Sequence, residues 1–285
     1  MEYINNIYDY KTTEIRAYSG LKTHRAIIGQ GLTLKATQYP DKPWLTTAQF
    51  EKTEPGVNHS VKIDAIAEPH STLELHIFTG TNSEDSINYD INVTAEQDSD
   101  VTLSVVSVTG KKVDVNITVN ITGANANVKL PGLLLPTKDE NFTYHSTVIH
   151  QVGGSTTTQK VRTIADANGY GDFFGIIKVQ PNAQKSVTEQ VNNNILLSED
   201  ARIESKPQLE IYADDVKCSH GSTTGMLDQD AIFYMRSRGI SEKTAQNLLL
   251  QAFIDEVADT ISTEKEYIDF VKESLADKLG MEQTA

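Results

Sequence analysis

Alternation of apolar and polar residues with a period of two runs through most of this chain. It is clean in Thr72-Leu73-Glu74-Leu75-His76-Ile77-Phe78 and recurs in Ser86 to Val93, Val101 to Val108 and Val113 to Ile121. Successive side chains of a strand point to opposite faces, so each run reads as a strand with one face buried. Val, Ile and Thr dominate the runs, which suits a pleated, half-buried surface. Helical spacing is absent from about Leu32 to Gly225. Many short strands in series imply an all-β architecture over that stretch.

The starts of the strands repeat weakly. Glu68-Pro69-His70-Ser71-Thr72-Leu73-Glu74-Leu75 resembles Glu96-Gln97-Asp98-Ser99-Asp100-Val101-Thr102-Leu103, and both resemble Gly123-Ala124-Asn125-Ala126-Asn127-Val128-Lys129-Leu130. A small residue recurs at 71, 99 and 126, in steps of 28 and 27. Stacked coils of a β-solenoid give such a period, because no coil can bury its inner face alone. Pro181-Asn182-Ala183 and Glu199-Asp200-Ala201 offer similar turns 18 residues apart. The repeat is degenerate, and a β-sandwich stays compatible with the pattern.

Charge and cysteine usage remove several function classes. The 285 residues carry a formal charge of −14, which argues against a nucleic-acid partner, since phosphate binding needs a basic footprint. One cysteine, Cys218, can form neither an intramolecular disulfide nor a Cys-rich zinc site. Met1-Glu2-Tyr3-Ile4-Asn5-Asn6 carries acid where a signal peptide needs base. Apolar runs such as Leu133-Leu134-Leu135 and Ala231 to Met235 are far too short to span a membrane, so a cytoplasmic location with no membrane partner is expected. Asn-x-Ser/Thr triplets at Asn58, Asn92, Asn116, Asn120 and Asn141 match glycosylation acceptors, but an Asn- and Thr-rich β-protein makes them by chance.

The pattern changes near residue 227. Ala245, Leu248, Leu249, Ala252, Phe253 and Val257 fall on one helical face, with Ser241 as N-cap. Thr263 and Glu266 form a capping box for another helix, striped by Ile268, Val271, Leu275 and Leu279 and stopped at Gly280. A shorter helix is expected over Asp230 to Arg236. Twelve acids face six bases from Asp228 onward. The tail reads either as a cap on the β-stack or as a docking module for another protein. The chain thus divides into an N-terminal lead-in (1–31), a β-core (32–226) and a C-terminal helical domain (227–285). Asp41-Lys42-Pro43-Trp44 reads as a turn.

Catalytic motifs are missing. No HExxH, Gly-x-Ser-x-Gly or Walker A pattern occurs, so zinc proteolysis, α/β-hydrolase chemistry and ATP hydrolysis by this chain are unsupported. Asp214-Asp215 is the nearest pair of carboxylates, but adjacent strand residues point to opposite faces. Cys218-Ser219-His220 is different. Residues i and i+2 of a strand share a face, so thiolate and imidazole project side by side, roughly 6–7 Å apart. Those donors suit a transition metal, but two of them cannot fill a coordination sphere. The plainer alternative is a buried cysteine beside a surface histidine.

Around this pair, Lys206-Pro207-Gln208-Leu209-Glu210-Ile211-Tyr212-Ala213-Asp214-Asp215-Val216-Lys217-Cys218-Ser219-His220-Gly221 resembles the C-terminal signature of the SufB/SufD family of iron–sulfur cluster assembly proteins. The likeness continues through Phe233-Tyr234-Met235-Arg236-Ser237-Arg238-Gly239-Ile240, Ala245 and Ala252-Phe253, and upstream through Gly175 to Val179 and Gln190 to Ser198. It spans about Tyr144 to Val257 and is closer to SufD.

The resemblance implies a right-handed parallel β-helix followed by a small helical domain. It implies a non-catalytic scaffold that pairs through its β-helix with a SufB-like chain or a second copy of itself. A SufC-like ABC ATPase would dock on the C-terminal helices, with Phe233, Tyr234, Arg236, Arg238, Gly239, Ile240 and Phe253 as partner-binding residues. His220, and with it Cys218, would hold a transient iron–sulfur cluster shared at the subunit interface. Leu196 to Ser205 lacks the cysteine that the SufB branch uses on the preceding strand. The N-terminal helical region usual in the family is also missing from the sequence, which reads as a short form. Two competing readings are a structural solenoid without a metal role and a β-helix carbohydrate-active enzyme.

Overall fold

The computed structural model describes the short strands 13–17, 24–28, 35–38 and 46–49, then residues 58–80, 83–262 and 265–281. The Asp41–Trp44 turn and Thr263 of the expected capping box lie outside the described residues. Strands β1 (Thr13–Ala17), β2 (His24–Ile28), β3 (Lys35–Gln38) and β4 (Thr46–Gln49) come first. Six pairs follow: β5 (Asn58–Ala67) with β6 (Thr72–Gly80), β7 (Ser86–Ala95) with β8 (Asp100–Thr109), and β9 (Lys112–Ile121) with β10 (Asn127–Leu134). Then come β11 (Asn141–His150) with β12 (Thr156–Ala165), β13 (Tyr170–Val179) with β14 (Val187–Leu196), and β15 (Arg202–Ile211) with β16 (Lys217–Gly225). Helices α1 (Gln229–Ser237), α2 (Glu242–Ala258) and α3 (Lys265–Lys278) end the chain.

Each pair is one coil of a parallel β-solenoid. The odd-numbered strands other than β3 build a seven-stranded sheet in the order β1-β5-β7-β9-β11-β13-β15, and the rest build a nine-stranded sheet in the order β16-β14-β12-β10-β8-β6-β2-β4-β3. Every pairing is parallel except β3 with β4. The segment expected to be a lead-in therefore supplies β1 and β2, which pair with β5 and β6. Strict alternation in β7, β11 and β13 puts one residue in two inside.

The repeat seen in the sequence is a row of corners. His70, Asp98, Asn125 and Lys185 take positive φ where the chain turns from one sheet to the other, and Gly154 does so at φ +79°, a conformation glycine adopts without a Cβ penalty. The next residue in each case is small and buried: Ser71, Ser99, Ala126, Ser155 and Ser186. Ser71 and Ser99 tie the turn by donating to Glu68 O and Glu96 O, both at 2.7 Å. The two later turns, with Ala183 and Ala201, lie on opposite corners, after β13 and after β14, so their spacing of 18 is no coil period. All five Asn-x-Ser/Thr asparagines lie on strands, and Asn92 and Asn116 donate to Asp64 and Asn88 one coil below.

The helices fold back along the outer face of the nine-stranded sheet. Leu250, Ile254, Val257, Tyr267, Val271 and Leu275 pack there with Val106, Val108, Leu133, Leu135, Ile164 and Ile195. This explains the Leu133-Leu134-Leu135 run: Leu134 joins the interior core, while Leu133 and Leu135 lie under the helices. Caps form as expected at Ser241, which accepts from Thr244 N at 3.1 Å, and Gly280 takes φ +61°. The first helix is capped by Asp228. The face of α2 differs from expectation. Ala245, Leu250, Ile254, Val257 and Ala258 are buried, whereas Leu248 and Ala252 are exposed. Leu248 to Leu250 and Ala252 to Ile254 make a broad apolar arc, and packing on the sheet selects the side.

Two ion pairs fasten the helices. Arg162 of β12 donates to Phe253 O, pairs with Glu256 and lies 4.3 Å from the centre of the Phe253 ring. Lys278 donates to Val108 O and pairs with buried Glu140, which also accepts from Thr137 N at 2.8 Å and Thr137 Oγ1 at 2.9 Å. Burial pushes the Lys278 ammonium below the ordinary lysine range, with Glu140 opposing. Among the described residues no helix is long and apolar enough to cross a membrane.

Candidate functional site at the last coil

The sixth coil has strands below it and none above. β15 bonds only to β13, and β16 only to β14, among the described residues. Most residues of β15 and β16 are partly or fully exposed for that reason. Cys218 and His220 both lie on β16. In register they stand over Thr188 and Gln190 of β14, which stand over Thr157 and Gln159 of β12. Those four polar residues are buried inside the solenoid. Cys218 and His220 therefore occupy the inward-facing rows, at the coil where the interior opens. Cys218 packs against the interior core and is partly buried, while His220 is exposed. Across the interior, the Oγ atoms of Ser205 and Ser222 are 2.7 Å apart, which links β15 to β16.

The interior changes character along the stack. Leu75, Leu103 and Leu130 fill one row in the early coils, and Gln159 and Gln190 continue it. Asn192 and Asn194 on β14 are buried as well; Asn194 Nδ2 donates to Asn192 Oδ1 at 2.7 Å and lies 3.2 Å from Thr224 Oγ1. Sequence reading missed these inward polar residues. Val187, Val191 and Ile195 share one face of β14 and Thr188, Gln190, Asn192 and Asn194 the other, so the pattern of the strand alone points the wrong side inward.

Thiol and imidazole are two soft or borderline donors for iron or sulfur chemistry. Among the described residues no three His, Cys, Asp or Glu side chains come together. Two donors from this face would have to be completed from elsewhere. Asp214 and Asp215 sit on the corner before β16, where Asp215 pairs with Lys185.

The expected partner-binding residues divide into two groups. Phe233 and Tyr234 of α1 are 73% and 60% exposed. Arg236 pairs with Glu242 at 3.1 Å, and the Arg238 guanidinium lies 5.4 Å from the centre of the Tyr234 ring. Gly239, at φ +89°, and Ile240 turn the chain from α1 into α2. Phe253 is apart from them, partly buried against the sheet-facing cluster.

Comparison with known proteins adds to this geometry. The domain family described as SUF system FeS cluster assembly, SufBD core domain, matches residues 46–253. The iron–sulfur cluster assembly protein SufD of Escherichia coli (strain K12) is 38% identical over 149 residues, 52% of this chain and 35% of that protein. An iron–sulfur cluster assembly SufBD family protein of Synechocystis is 42% identical over 117 residues, 41% of this chain and 26% of that one. Protein ABCI7, chloroplastic, of Arabidopsis thaliana is 33% identical over 169 residues, 59% of this chain and 35% of that one. The matched stretches thus span about a third or less of these relatives' own length.

Proposed function

Because the chain belongs to the SufBD family of iron–sulfur cluster assembly proteins, closer to SufD, we propose that it is a non-catalytic scaffold subunit on which a nascent cluster is built. Residues 32–226, extended by β1 and β2 from the 1–31 lead-in, form the assembly core and 227–285 the docking domain. The last coil carries this reading: an uncovered pair of strands with Cys218 and His220 on its inward rows. A partner solenoid, SufB-like or a second copy, would continue the stack there and supply the remaining ligands. His220 is the principal ligand from this chain and Cys218 the second. The cluster is cargo, held at the interface and passed on.

The exposed Phe233 and Tyr234, with Arg236 and Arg238 beside them, form the proposed docking face for a SufC-like ATPase. Phe253 would act indirectly, through the seat of α2 on β12. The proposed location is cytoplasmic.

An anaerobic affinity pull-down from the native host tests the reading. Recovery of a SufC-like ATPase, with or without a SufB-like chain, is the expected result. Recovery of neither refutes the scaffold role. His220→Ala should lower iron and sulfide in the assembled complex without unfolding the chain, and unchanged contents would remove His220 from the site.

A further inference from the structure

Gln159 on β12, Gln190 on β14 and His220 on β16 are consecutive members of one inward row. Neighbouring strands lie about 4.8 Å apart, so adjacent long side chains in such a row reach one another. Gln190 Nε2 donates to Gln159 Oε1 at 2.8 Å, and Gln159 Nε2 donates to Ser146 Oγ at 2.7 Å. With its nitrogen spent on the β12 side, the Gln190 amide keeps its oxygen free, one strand below His220 in the same row. That oxygen is buried and has no protein partner. A buried carbonyl oxygen without a hydrogen bond is costly, and a native interior rarely keeps one without a use.

Space for the amide pair is built into the opposite sheet. A Cβ at Gly175 would stand 2.4 Å from Gln190 Nε2 and 3.1 Å from Gln159 Oε1. Any side chain at 175 would displace the pair, so this glycine keeps the row intact.

We propose that Gln190 is a positioning residue for His220. A turn of the exposed His220 side chain brings an imidazole N–H onto this free oxygen, and the bond so made selects one neutral tautomer and leaves the lone pair of the other ring nitrogen to the open coil. A hydrogen bond to one ring nitrogen is the usual way a protein orients a ligating histidine. The purpose of this hydrogen bond rests on the reading of His220 as a cluster ligand; the test of the bond itself does not.

The tautomer can be read on the metal-free full-length chain by ¹⁵N NMR with labelled histidine, the His220 signal being assigned by its loss in His220→Ala. One hydrogen bond of ordinary net strength biases the tautomer about tenfold. Wild type should show that bias, Gln190→Leu should lose it, and Gln190→Glu, which keeps an acceptor oxygen, should restore it. Gln159→Leu, which frees the Gln190 amide to rotate, should weaken the bias without touching His220. The tautomer ratio of a free histidine in wild type, or an unchanged ratio in Gln190→Leu, overturns the proposal. If Gln190→Leu does not fold, the wild-type and Gln159→Leu spectra decide. Because no metal is present in the assay, the result stands whether or not His220→Ala lowers iron content.

Discussion

Lowering the pH from 7 to 5 should cost the folded chain about 2 kcal/mol through His150 alone. This residue ends β11, fully buried, in register between Ile121 and Val179 of the adjacent coils. Its Nε2 lies 2.8 Å from Thr157 Oγ1. Burial pushes the imidazole from 6.5 down to about 4. The unfolded chain therefore takes up the proton first as pH falls. His150 contributes its full stability above pH 6.5 and loses it progressively down to about 4. The whole window is worth roughly 3 kcal/mol, and the part between pH 7 and 5 about 2 kcal/mol. His150→Leu keeps an apolar neighbour for Ile121 and Val179 and removes the titration. Urea unfolding of both proteins at pH 7 and pH 5 isolates the effect, since other acid-sensitive groups cancel in the difference. Wild type should lose about 2 kcal/mol more than the variant between the two pH values. Equal losses would refute the reasoning that His150 is held neutral by burial.

Leu133→Ala should destabilise the chain by about 2–5 kcal/mol and speed amide exchange in α2 and α3, because Leu133 lies under the helices; unchanged exchange there would contradict that packing. Lys278→Met should cost about 1–3 kcal/mol in urea unfolding, since Glu140 keeps its Thr137 donors but loses its buried cation, and an unchanged midpoint would show the pair to be idle. Phe233→Ala with Tyr234→Ala should shift stability by less than about 0.5 kcal/mol, both side chains being exposed, yet abolish capture of a SufC-like ATPase; full capture would move the docking face elsewhere. This pair of changes is a cleaner test than removing residues 228–285, which would bare Val106, Leu133, Leu135 and Ile164.

The coil period was legible because corner geometry leaves little choice. A positive-φ residue followed by a crowded inward position admits only a small side chain, so Ser71, Ser99 and Ala126 stand out even where the strands between them differ. Alternation likewise placed Cys218 and His220 on one face. Direction was the part that stayed hidden. The arc of α2 is apolar on more than one side, so Leu248 read as core although it is exposed. On β14 the apolar Val187 and Val191 lie on the outer face and the polar residues on the inner one, and the glutamine beneath and the glycine opposite are what seat Gln190 inside. Phe253 looked like part of the α1 patch by motif, and its contact with Arg162 depends on a strand 91 residues away in sequence.

A stack of coils in which each touches only its neighbours should melt piecemeal, with the uncovered end fraying first. Here a helix that follows all the coils reaches back across that order: Lys278 closes on Val108, 170 residues earlier, and on Glu140, 138 residues earlier. The helices therefore work as a clasp laid along the spine of the stack. The coils they straddle cannot open singly without releasing it, and a nearest-neighbour array becomes one cooperative unit. The same clasp has a cost during synthesis. Until α3 has left the ribosome, the outer faces of β8, β10 and β12 stand bare to water, so the time from Leu133 to Lys278 is when this chain is most exposed to aggregation.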